Sequence, residues 1–204
     1  MLRLYCAPRT ISIAVSTALY QSGIHWEQIR VDIAGGEQTR PDYHAINPKG
    51  RVPVLMTPEG PLTETGAILE YLAETSMPGF VPADPLARAR MREVMFYLAS
   101  TMHVNHAHKL RGKRWASEET SIEDMKAKVP ETMAASCAYI ERLIVGPYLF
   151  GSDLTLADFY LFAVCTWLEG DGVDVTQFPK LSAFIQAMEA TPGVRQAYAA
   201  GLVG

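Results

Sequence analysis

Two short stretches in the first third of the chain order their residues in ways that suggest ligand chemistry. Asn47-Pro48-Lys49-Gly50-Arg51-Val52-Pro53-Val54-Leu55 sets a proline at the entrance to a strand-like run, where its missing N–H weakens sheet pairing. If the Val52–Pro53 bond is cis, the backbone ahead of it turns outward and offers an N–H and a C=O to an extended peptide. If it is trans, the proline simply closes a loop, and spacing leaves both open. Further on, Leu62-Thr63-Glu64-Thr65-Gly66-Ala67-Ile68 puts a carboxylate and a hydroxyl at the start of a helix continued by Leu69, Tyr71 and Leu72. The free N–H groups and dipole of such a start suit an anionic ligand group, while Glu64 suits an ammonium. Ordinary capping by Thr65, with Glu64 favouring the dipole, accounts for the same residues.

Two clusters in the second half invite other chemistry. His103, His106 and His108 raise the question of a metal. On a helix, however, 103 and 106 share a face that 108 leaves, and no carboxylate or cysteine accompanies them, so no metal is expected. The run Lys109-Leu110-Arg111-Gly112-Lys113-Arg114-Trp115 is basic enough to steer an anionic substrate, but the default reading of such a run is a solvated face.

These residues must be positioned by elements of two kinds. From 1 to about 76, strand signals at Leu2–Cys6, Trp26–Ile33, Val52–Met56 and Pro61–Thr63 alternate with helices from Ser12, closed by Gly23, and from Thr65. That alternation predicts an α/β thioredoxin-like domain with a mixed four-stranded sheet. Breakers crowd 77–84, which reads as a linker, and 85–204 reads as all-helical. There Asp84-Pro85 starts one helix and Ser121 with Asp124 a second, which Pro130 should bend or interrupt. Pro179 opens a last one, ending near Thr191-Pro192-Gly193.

Composition narrows the function classes. The chain has 204 residues, 49% of them apolar and 20% charged, with formal charge -4, so a folded globular protein is expected and nucleic acid or anionic membrane is a poor partner. Cys6, Cys137 and Cys165 are too few and too scattered for a disulfide framework, which fits a reducing cytoplasm. The N-terminus shows no export signal. The longest uncharged apolar run, Phe159 to Leu168, is too short to span a bilayer and reads as a buried helix.

A strand-initiating Val52-Pro53 followed by Glu64-Thr65 at a helix start resembles the glutathione site of the cytosolic glutathione transferase superfamily. The likeness runs through the whole chain. Asn47 to Leu55 is similar to bacterial members, Gly151-Ser152-Asp153-Leu154-Thr155-Leu156-Ala157-Asp158 to the buried capping motif of their helical domain, and Phe178-Pro179-Lys180-Leu181 to their closing helix. The resemblance implies that Val52 bonds the cysteinyl backbone of glutathione, that Pro53 is cis, and that Glu64 and Thr65 hold the γ-glutamyl ammonium and carboxylate. Arg51, or Lys49, would attract the glycyl carboxylate, the helical domain would form the electrophile site, and the protein would be a homodimer.

Glutathione chemistry needs a thiolate, and therefore a donor that lowers a thiol pKa from about 8.5. Pro8-Arg9-Thr10-Ile11-Ser12 resembles the bacterial beta class, except that Ile11 stands where that class has cysteine. Ser12 is then the first candidate for the activator and Thr10 the second, with Tyr5 and Cys6 as alternatives. Leu98 to His103 resembles the beta-class segment that faces the thiol across the cleft, making Ser100 and His103 further candidates, although Phe96 replaces that segment's asparagine. His106 could line the electrophile pocket. The resulting expectation is a transferase directing the thiolate of glutathione at a small hydrophobic electrophile. The rivals are a glutathione-dependent peroxidase or thiol reductase, and a non-catalytic carrier or protein-interaction module.

Overall fold

The computed structural model describes all 204 residues. The sheet comes first: strands β1 (Leu2–Cys6), β2 (Trp26–Arg30), β3 (Val54–Thr57) and β4 (Gly60–Thr63) pair in the order β2-β1-β3-β4. β1 runs parallel to β2 and antiparallel to β3, and β3 pairs antiparallel with β4, so the sheet is mixed. The parallel pair requires a crossover, which is supplied by α1 (Ser12–Ser22) and ended by Gly23 at φ 70°, a left-handed conformation that glycine adopts at no steric cost. α2 (Pro41–Ile46) leads to β3, and α3 (Thr65–Thr75) follows β4. This is the expected thioredoxin-like arrangement.

Alternation along β1 decides which side each residue serves. Leu4 and Cys6 are fully buried in the core shared with α1 and α3, while Tyr5 faces the other way against Tyr43 of α2, ring to edge at 6.1 Å. Both expected strands next to turns are offset. β2 stops at Arg30, because the chain turns through Val31 to Ile33, and β3 starts at Val54, since Pro53 has no N–H to give the ladder. α2 escapes a reading of periodicity because six residues are too few to show one.

From residue 85 every helix or strand is a helix. α4 (Pro85–Tyr97), capped by Asp84 Oδ1 at 2.8 Å from the Ala87 N–H, continues through one wide π turn, Leu98–Met102, into α5 (His103–Arg111). α6 (Glu119–Ala127) and α7 (Val129–Leu143) are separate, and Pro130 sits in the first turn of α7, where its missing N–H costs nothing. The interruption is as expected, although α6 starts before Ser121. α8 (Leu156–Cys165) is buried along its whole length, as the apolar run from Phe159 requires, with Asp158 the one charged residue in it. α9 (Pro179–Glu189) is not the last helix. Thr191 caps α10 (Pro192–Ala199) rather than ending α9, so Pro192 opens a helix in the way Pro179 does. No helix is long and apolar enough to cross a membrane.

Candidate functional site

A cleft of about 310 Å³ lies where the C-terminal end of β1 and the N-terminal end of β3 meet α5 and α8, and it is lined by residues from Arg9 to Trp167. The segment before β3 forms its floor. Tyr43 Oη and Asn47 Nδ2 both donate to the Arg51 carbonyl, at 2.8 and 2.7 Å, and Asn47 is buried, so the backbone entering Val52 is pinned from behind. The Val52–Pro53 bond is cis, and both residues line the cleft. On the next wall Glu64 adopts φ 73°, a conformation rare for a non-glycine residue, at the cap of α3, with Thr65 buried beside it. Lys49 Nζ holds the Glu64 carboxylate at 2.5 Å and the Thr63 hydroxyl at 2.6 Å.

Opposite stands the turn into α1, and here two sequence candidates separate. Ser12 is fully buried and lies outside the cleft lining; its Oγ accepts from the Ala7 N–H at 3.1 Å and donates to the Ala7 carbonyl at 3.0 Å. It braces the turn instead of facing a ligand. Thr10 and Ile11 do line the cleft, and Thr10 Oγ1 lies 2.6 Å from Ser12 Oγ and 2.8 Å from the Ala7 carbonyl. Thr10 Oγ1 donates to that carbonyl, and because Ser12 donates to it as well, the Thr10 proton can turn into the cleft without orphaning the acceptor. The N–H groups of Thr10 and Ile11 make no hydrogen bond within the protein, and the Gln38 Oε1 across the cleft is buried without a partner. Unpaired polar atoms around one cavity fit a polar, peptide-like occupant.

Among the alternatives, Tyr5 is turned to the far face of the sheet, and burial pushes the Cys6 thiol up to about 11, leaving it inert. Of the helical candidates, His103 lines the cleft, and burial first, then His106 and neighbouring arginines, bring its pKa down to about 4, so its imidazole is neutral. Ser100 is exposed, bonds back to the Phe96 carbonyl at 2.8 Å and takes no part in the lining, since the π turn rotates it off that face. His106 lies behind the wall, stacked on Trp167 at 4.1 Å with its Nδ1 2.7 Å from the buried Asp171 carboxylate. His108 packs against Trp115, so the three histidines do not converge, and no group of three metal-ligating side chains exists.

Sequence reasoning missed Arg9, Tyr160 and Trp167, all of which line the cleft. Arg9 has φ 58°; its N–H bonds the Leu202 carbonyl, its side chain bonds the Gly204 carbonyl, and its own carbonyl accepts from the Trp167 indole at 3.2 Å. No local pattern could have signalled contacts across some 160 to 195 residues. Arg111 and Arg114 also line the cleft: His103, Ala107 and Arg111 recur at a spacing that keeps one face of α5, and a short 3-10 turn after it, Gly112–Arg114, carries Arg114. The helical wall of the cleft is therefore not purely apolar.

Comparison with known proteins finds relatives for both parts of the chain. The model of the glutathione S-transferase N-terminal domain matches residues 1–74, and that of the C-terminal domain matches 107–200. A maleylacetoacetate isomerase from Pseudomonas aeruginosa is 32% identical over 94% of this chain and 92% of its own. The chain belongs to the cytosolic glutathione S-transferase superfamily. It is an enzyme of the glutathione transferase type. Glutathione S-transferase GstA of Escherichia coli O157:H7 is 29% identical over 98% of both chains. A glutathione transferase homologue from Sulfitobacter, solved with bound glutathione, is 53% identical, covers 100% of this chain and 99% of its own, and superposes with a TM-score of 0.97.

Proposed function

We propose that this transferase seats glutathione along the segment that enters β3 and activates its thiol at the start of α1, as a cytoplasmic homodimer. The Val52 backbone bonds the cysteinyl unit, Thr65 with the start of α3 takes the γ-glutamyl carboxylate, Glu64 takes the ammonium in exchange for Lys49, and Arg51 takes the glycyl carboxylate. Thr10 then donates a hydrogen bond to the sulfur, helped by the free Ile11 N–H, the thiol proton is lost to solvent, and the thiolate attacks an electrophile between α5 and α8. What carries this reading is that Val52, Pro53, Glu64, Thr65 and Thr10 line a single cleft. The bound glutathione of the Sulfitobacter homologue supports it.

Ultraviolet thiolate absorbance of the glutathione complex against pH, beside binding calorimetry, tests the proposal. The bound thiol should titrate at least about one pH unit below 8.5, Thr10→Val should raise that midpoint by about one pH unit, and Ser12→Ala should leave it nearly unchanged. Binding with an unperturbed thiol would make the protein a carrier, and absence of binding would remove the site. A Thr10→Val variant that titrates like wild type would remove Thr10 from the activating role.

A further inference from the structure

The charge of the cleft exceeds what glutathione, seated as proposed above, can neutralise, and this inference rests on that seating. Arg9, Lys49, Arg51, Arg111 and Arg114 line the cleft against the single carboxylate of Glu64. Arg9 is tied to the Gly204 carbonyl and Lys49 to Glu64. Of the two glutathione carboxylates, one goes to Thr65 and the start of α3 and the other to Arg51. Arg111 and Arg114 are left over, and none of the ion pairs elsewhere in the chain includes either.

Their neighbours make the imbalance sharper. Desolvation by the cleft walls lowers the pKa of both guanidinium groups, and Arg51 lowers both further; Arg111 acts on Arg114 as well. Like charges gathered at one wall without a counter-ion repel one another, and an anion between them removes that cost. A guanidinium fork matches the planar, two-oxygen geometry of a carboxylate, and here two of them line one cleft, from the end of α5 and from the short turn after it. Trp115 follows directly, half-exposed at 47%, and offers a flat apolar surface beside them.

We propose that the second substrate of this enzyme is an electrophile carrying a carboxylate, which Arg111 and Arg114 bind while its unsaturated or aromatic body lies against Trp115.

The test compares two chloroarenes that react by the same chemistry, chlorodinitrobenzene and the chloronitrobenzoate in which a carboxylate replaces one nitro group. In both, the thiolate sulfur bonds the ring carbon, the carbon–chlorine bond breaks, and chloride leaves with the electron pair. With each kcat/KM divided by the uncatalysed rate, the wild-type enzyme should favour the carboxylate by about tenfold or more, as two charge-assisted hydrogen bonds allow. The double variant Arg111→Gln/Arg114→Gln should lose that preference while keeping its rate on chlorodinitrobenzene and its affinity for glutathione within about twofold. Equal preference in the wild type would overturn the proposal. So would an equal loss on both electrophiles, or a loss of glutathione affinity in the variant, which would give these arginines to glutathione itself.

Calorimetry with the two S-aryl glutathione conjugates separates this outcome from failure of the transferase reading, because the conjugates fill both halves of the cleft without turnover. Tighter binding of the carboxylated conjugate, by about tenfold, upholds the subsite even if neither chloroarene is turned over. Equal binding sinks it whatever the rates.

Discussion

The neutral imidazole of His103 has a consequence that can be read in stability. Its pKa in the folded protein, about 4, lies below the ordinary 6.5 because burial and the positive groups around it oppose protonation. Between those values the unfolded chain binds a proton that the folded chain refuses, so stability is complete above about pH 6.5 and falls as pH drops toward 4. Each pH unit across that window removes at most about 1.4 kcal/mol, so wild type should lose about 2–3 kcal/mol more over the range than His103→Asn, read as urea midpoints at neutral and acidic pH. Equal losses would mean that the ring reaches water freely. Near His103, Thr10 and Ser12 show how two adjacent hydroxyls divide their tasks. Ser12 is spent on the Ala7 peptide, which leaves Thr10 available to the cleft. Their types are visible in the sequence, but the direction of each side chain is not, because it depends on where the chain turns after β1.

Among the elements, α8 carries the clearest local signature. Asp158 Oδ2 accepts from the Thr155 N–H and hydroxyl, both at 2.7 Å, and Oδ1 accepts from the Leu149 N–H at 2.8 Å, all of them buried. The motif Thr155 to Asp158 is legible in the sequence as a capping box. The bond to Leu149 is tertiary, and it fastens the loop before α8 to the helix. Asp158→Ala leaves two buried backbone N–H groups unpaired, so it should lower stability by about 2–5 kcal/mol, seen as a shifted urea midpoint with an unchanged slope. A midpoint that stays in place would show that water reaches those groups. The long helix α4–α5 is the opposite case. Its apolar spacing is plain, yet the wide turn at Leu98–Met102 turns Ser100 outward and aims His103, Arg111 and Arg114 into the cleft. Regular helical spacing does not register a one-residue widening.

At the scale of the molecule, the two halves are joined where α10 lies on α1. Gly193 donates its N–H to Gln21 Oε1 at 2.9 Å, and a Cβ there would sit 2.4 Å from the Thr17 carbonyl oxygen and 2.9 Å from the Gln21 nitrogen. Those are backbone atoms that cannot step aside, so Gly193→Ala should cost about 3 kcal/mol and lower Tm by about 6–12 °C in calorimetric scanning. A shift under about 2 °C would show that the halves separate without difficulty. The same joint brings Trp167 and residues 202 to 204 against Arg9, and so holds the turn that presents Thr10. The sequence by itself determined the thioredoxin-like sheet and the helical second half, since both rest on periodicity, whereas Val52-Pro53 and Glu64-Thr65 stood out as a pair only through the family resemblance, because spacing left the proline's isomer and the role of Glu64 open. Only the tertiary structure decided that Ser12 braces the turn while Thr10 lines the cleft, and that Ser100 and His106 lie outside it. It alone turned a run of surface-like arginines into one of the cleft's walls, because side-chain direction there is set by how α5 packs against α6 and α7 and faces the first domain, which no local pattern records.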